Sequence, residues 1–397
     1  MTKIVQRGLV LLVFAVPLVF SHSTTEVFGL IKWTLLEFGV LVLLVLWLLE
    51  AAGNAILRKG FSWSFNWAIA AFCAVSLISL LKAVNKYEGV MSLYQLGAGV
   101  GLFFVAANSI KERRQADEII LAMVLSGVAA CMLSIYQVHG IKLGASRLAY
   151  TSSFGNPIFF AQYISLAIPL SVFMALEKER VKPYLRIFFA IAALFLLVFV
   201  ILARSRGVYL GLSAAFIFAF ISVYNKFPKK AKLALTMALV VFLSGSAIAV
   251  MSSRGERVRF RNLMRLYVWE GTFGMIKDNP VLGVGTGNFK VVYPLYRSAE
   301  ERRVTPKLVT YTKAHNDFLQ IWSETGTLGL ICFLWILFSV YRRRPLQQGT
   351  AAYLSVGLSA AMIALLVQAF FNPLLYVPAS SMGFWLLLAL STLRLAV

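Results

Sequence analysis

Twelve runs of mainly apolar residues, each about 15–22 long, follow one another along a chain of 397 residues. A bilayer's hydrocarbon core takes roughly 17–25 such residues as a helix, because only helices and closed barrels satisfy every backbone N–H and C=O without water. The runs lie at about Val5–Phe20, Phe28–Leu49, Trp67–Leu81, Val90–Ala107, Ile119–Val138, Pro157–Leu176, Ile187–Ala203, Gly207–Tyr224, Ala231–Met251, Thr327–Tyr341, Ala351–Phe371 and Ala379–Leu395. The first is as short as a signal peptide's apolar stretch. No A-x-A-like cleavage site follows it at Phe20-Ser21-His22-Ser23, so it reads as a span. AVILMFWYC residues make up 60% of the chain and charged residues 14%, against about 45–50% and about 25% in soluble domains. Soluble, disordered, collagen-like and disulfide-framework classes are thereby excluded. Residues 1–397 are expected to form a single all-α, polytopic transmembrane domain of about twelve helices.

Charge gives the orientation. Lys and Arg number 38 against 16 Asp and Glu, a net charge of +22. Nineteen of the basic residues fall in alternate loops, among them Lys3, Arg58, Arg113, Arg180, Lys229 and Arg343. The positive-inside rule then puts both termini in the cytoplasm, and much of the positive charge records topology rather than affinity for nucleic acid. Cys73, Cys131 and Cys332 each lie inside an apolar run, share no ligand-like spacing and read as small buried hydrophobes.

The segment 252–326, between spans nine and ten, falls on the outer side yet holds twelve Lys or Arg. A loop this long is translocated regardless of its charge. Its basic residues suit either an anionic ligand outside the membrane or anionic lipid headgroups. Arg265–Lys277 has helical apolar spacing and ends at Asp278-Asn279-Pro280. Val281–Asn288 is Gly-rich but lacks the Gly-Lys-Ser/Thr of a phosphate-binding loop, and a tight connection between helices fits it better. His315–Thr325 reads as a helix capped by Gly326 that leads into the tenth span.

Of three histidines, His22 and His139 sit at span ends and His315 opens that last helix. A helix N-terminus disfavours positive charge, so this imidazole should stay neutral near pH 7, as a general base requires. A structural histidine at a helix cap fits the same stretch. Arg204-Ser205-Arg206-Gly207 joins two spans with almost no loop, holding two guanidinium groups at the outer edge of the bundle. Their planar forks match phosphate oxygens, although headgroup contact is open to each of them singly. Arg147 and Arg265 are placed to reach the same region. Lys32 and Glu37, inside the second span, are either ligand residues or buried partners of another helix. No cluster of Asp, Glu and His suggests a metal, and no cofactor is expected.

His315-Asn316, nine residues, Gly326 and then Gly329 resemble the motif of the bacterial O-antigen ligase and O-antigen polymerase superfamily of membrane glycosyltransferases. Arg204–Gly207 resembles the family's Ser-Arg-Gly turn, and Asp278–Phe289 is similar to its loop motif. Phe154-Gly-Asn-Pro157 resembles the motif opening the sixth span, with Ile158 where the family often has Asn. The resemblance implies a GT-C-like fold in the bacterial inner membrane and a periplasmic site free of metal. It implies an undecaprenyl diphosphate-linked glycan as donor and, for ligases, lipid A–core as acceptor. In that setting His315, Arg206 and Arg265 would be catalytic, Arg147 and Arg204 would help hold the diphosphate, and Asn316 and Lys32 would support them. A polymerase or a protein O-oligosaccharyltransferase would use the same groups on another acceptor. A transporter of lipid-linked sugar, the rival without covalent chemistry, lacks support because no internal repeat is visible.

Overall fold

The computed structural model describes residues 2–24, 26–56, 66–139, 150–252, 256–305, 311–343 and 351–393. Among these residues every regular element is helical, with no strand. In chain order they are α1 (Thr2–Ala15), α2 (Leu30–Ile56), α3 (Trp67–Ser79), α4 (Lys86–Ser109), α5 (Arg113–His139), α6 (Pro157–Leu176), α7 (Pro183–Ala203) and α8 (Arg206–Val223). There follow α9 (Lys229–Ser252), α10 (Glu256–Asp278), α11 (Phe289–Val292), α12 (Ala299–Val304), α13 (Asp317–Arg343), α14 (Ala351–Ala369) and α15 (Pro378–Thr392). Each of the twelve expected spans overlaps a helix. Seven helices, α2, α4 to α8 and α13, are long and apolar enough to cross a membrane by themselves, and shorter apolar helices accompany them.

Local chemistry fixes many of the ends. Pro157, Pro183 and Pro378 occupy first-turn positions, where a missing N–H leaves no bond unmade. Asn66, Asn85 and Asn156 accept backbone N–H groups at the starts of α3, α4 and α6. Helix α1 stops at Ala15 instead of running on to Phe20, because Pro17 disfavours helical backbone before it and removes a donor.

Helices α6 and α15 run through the interior, and α15 is buried along almost its whole length. Helix α6 packs on α7 and α14, α14 on α8, α4 on α2 and α15, and α3 on α13. Exposed Phe38, Leu41, Leu194, Val198 and Ile221 form the outward face. In water such a surface would be an anomaly, and against acyl chains it is the expected state. Gly207 and Gly211, four apart on α8, bring it close to α14 and the turn beyond. A Cβ on Gly211 would stand 2.5 Å from the Ala364 carbonyl oxygen.

The segment between α9 and α13 has a core of its own. Val268, Met275 and Ile276 of α10 pack with Val284, Phe289, Tyr293, Ala314 and Leu319. As the spacing predicts, α10 is a helix, and it starts earlier, at Glu256. The Gly-rich stretch is a tight turn wedged against α4 and α13: Val284 N–H donates to Ser323 O at 2.9 Å and Gly285 N–H to Glu324 O at 3.0 Å. Gly326 interrupts α13 with φ 68° and ψ −173°, outside the left-handed helical region of an ordinary cap and in a region open essentially to glycine alone, and so divides it into two helical pieces. A Cβ there would lie 2.1 Å from Val281 O, so the position admits only glycine without rearrangement.

Candidate active site

His315 stands just before α13 with φ 53°, a left-handed conformation that costs a non-glycine residue about 1–3 kcal/mol. Its neighbours hold it there. The Ala314 carbonyl accepts from Trp269 Nε1 at 3.0 Å, and the Ala314 N–H donates to Gln320 Oε1 at 2.6 Å. The peptide leading into His315 is therefore pinned from α10 on one side and α13 on the other. Asn316 is the N-cap, its Oδ1 accepting from Leu319 N–H at 3.1 Å, so its described contact is structural. Tyr311 meets the imidazole edge-on, with ring centroids 6.3 Å apart.

Burial, and then the nearby Arg265 guanidinium, lower the His315 pKa to about 4. The ring is therefore neutral at physiological pH, as expected. The cause is different: His315 precedes the helix, and desolvation with a neighbouring cation does what a helix N-terminus was expected to do.

Arg265 lies one turn before Trp269 on α10, and its Nη2 donates to Asn372 Oδ1 over a long 3.4 Å. Asn372 in turn lies against the start of α8, where a Cβ on Gly207 would stand 2.9 Å from Asn372 Nδ2. The glycine after Arg206 thus permits a close approach that joins the 204–207 turn to Arg265 through Asn372. Arg204, with φ 50°, caps α7, and Ser205 precedes α8. Arg265, His315 and the Arg204–Gly207 turn accordingly belong to one neighbourhood.

A second layer of buried polar groups supports this end of the bundle. Glu324 accepts from Gly287 N–H at 3.0 Å, Phe289 N–H at 3.3 Å, Gln320 Nε2 at 2.7 Å and Tyr376 OH at 3.3 Å. Gln320 thereby links the His315 turn to the Gly-rich turn. Asp317 Oδ2 accepts from the N–H groups of Leu374 and Leu375, both at 3.0 Å, and ties α13 to the segment after Asn372. The Lys313 ammonium sits 3.6 Å over the Tyr376 ring. Burial lowers the Lys313 pKa against the pull of Glu324 and Asp317.

Lys32 lies elsewhere. It is buried, donates to the carbonyls of Val19 and Ser153 (2.8 Å to the latter), and stands 5.3 Å from the Phe154 ring centroid. These bonds make it a tie between α2 and two turns, and no described contact links it to His315. Arg147 lies outside the described residues. Among the described residues no group of three His, Cys, Asp or Glu is placed to hold a metal ion. Asn372, Trp269, Gln320 and Glu324 were not visible as site residues in the sequence. The one available signal was the asparagine of Phe371-Asn372-Pro373, in the short connection between two spans.

Residues 191–334 match a family model described as O-antigen ligase. The matched stretch, just over a third of the chain, holds Arg204, Arg206, Arg265 and His315, and it supports the O-antigen ligase and polymerase superfamily. No curated protein matches the chain. The apolar helices fit a multi-pass membrane protein, and the matched stretch supports an activity of O-antigen ligase or polymerase type.

Proposed function

We propose that the protein is an inverting membrane glycosyltransferase that moves a glycan from undecaprenyl diphosphate to lipid A–core on the periplasmic face. The observation that carries this reading is a neutral imidazole held beside an arginine, within the residues that match the ligase family. Arg206 and Arg265, with Arg204 and Arg147, hold the diphosphate and stabilise its charge as the glycosidic C–O bond breaks. An acceptor hydroxyl attacks the anomeric carbon from the opposite side, and its proton passes to a ring nitrogen of His315. Arginine keeps its charge throughout, so the guanidinium groups can serve in place of a divalent cation.

Purified protein mixed with a lipid-linked glycan and lipid A–core should add the glycan's mass to the core. Mass added to free glycan or to a protein Ser would make the enzyme a polymerase or an O-oligosaccharyltransferase, and moved but intact lipid-linked glycan would make it a transporter. EDTA should leave the rate essentially unchanged, and a rate restored only by a divalent ion would refute the role given to the arginines. Trp269→Phe should cost about tenfold in rate, the scale of one lost hydrogen bond that leaves a carbonyl unpaired. An unaltered rate would show that the Ala314 clamp does not position His315.

A further inference from the structure

A partly open cleft lies beside the site just described, on the far side of the segment 372–377. Asn372 faces Arg265, while Leu375 and Tyr376 line the cleft, so a few residues of chain separate the two. The cleft falls where two helix pairs meet lightly: α3 packs on α13 and α4 on α15, with much less contact between the pairs. Thr286 of the Gly-rich turn forms part of its wall.

The lining mixes ring faces with hydrogen-bonding groups. Phe333, Tyr376 and Trp385 supply the rings, and Ser92 and Gln95 supply polar atoms, while both oxygens of Glu324 are taken up by internal donors. The Gln95 side-chain amide has no hydrogen-bond partner among the described residues. An acyl chain in this space would leave that amide unpaired in an apolar setting, at a cost of about 1–3 kcal/mol. A phosphate would meet Glu324, the one charged side chain of the lining. An uncharged polyol suits both constraints, because its C–H faces lie on aromatic rings while its hydroxyls pair with amide and hydroxyl groups.

We infer that the cleft is a subsite for an uncharged sugar residue of a lipid-anchored glycan, entering between the two helix pairs. The inference rests on the glycosyltransferase reading and adds to it where a sugar of one substrate is held. On α4, Gln95 lies nine residues beyond Lys86, about 13 Å along the helix.

Steady-state transfer in nanodiscs tests it, with lipid-linked glycan and lipid A–core varied in turn. Gln95→Ala and Ser92→Phe should each raise KM for one of the two glycolipids at least fivefold while kcat changes less than twofold. Ser92→Cys, made with Cys73, Cys131 and Cys332 replaced by Ala, gives a readout free of turnover. Its labelling by a maleimide should slow when phosphate-free core oligosaccharide or lipid-linked glycan is present. Unchanged KM values in both variants together with unchanged labelling would overturn the subsite. Absence of transfer by the wild-type protein would instead overturn the glycosyltransferase reading, and the labelling would still decide whether the cleft takes sugar.

Discussion

His315→Ala should lower the transfer rate by about 10²–10⁴-fold, the range for removing a positioned general base, while the protein still inserts and purifies. The buried, neutral ring accepts a proton only when the attacking hydroxyl becomes acidic in the transition state. Its pKa of about 4 keeps it in the basic form at every pH above that value. The acid limb of kcat/KM, which reports the free enzyme, should therefore fall near pH 4 and not near the ordinary histidine value of about 6.5. Activity close to wild type in His315→Ala would remove the imidazole from the chemistry and leave it a structural residue of a strained turn.

Arg265→Ala should cost about 10²–10³-fold, the scale for losing one donor aimed at charge that develops in the transition state. Arg265→Lys should recover only part, because an ammonium lacks the two-pronged geometry that matches a diphosphate. The substitution also acts on His315. With the neighbouring cation gone, the imidazole pKa rises, and the acid limb of kcat/KM moves to higher pH in Arg265→Ala than in the wild type. A bound diphosphate opposes the same cation and should move the limb of kcat upward as well. Loss of rate without movement of either limb would separate Arg265 from His315.

Much of the architecture was legible because each apolar run must form a helix whatever surrounds it. His315 and Arg206 stood out as candidates in the sequence because a histidine at a helix start and paired arginines at a span edge are unusual placements, and Arg265 because it opens the amphipathic stretch of the long loop. Gly326 was legible as the glycine that ends a helical piece, since positive φ is a local requirement. Asn372 was not, because its partner Arg265 lies 107 residues away and the meeting exists only in the packed bundle. Trp269 and Gln320 read as ordinary helical residues, and their bonds to Ala314 follow from α10 crossing α13. Lys32 is the opposite case. A buried lysine marks a polar need, and here the backbone carbonyls of Val19 and Ser153 meet it.

Titration of the histidine ring resonances in isotope-labelled, detergent-solubilised protein tests most directly whether His315 and the arginines share one diphosphate site. His315, assigned from the signal lost in His315→Asn, should titrate near pH 4 alone and at distinctly higher pH with inorganic pyrophosphate bound. A ring that titrates near 6.5 and ignores pyrophosphate would contradict a common site for the imidazole and the guanidinium groups.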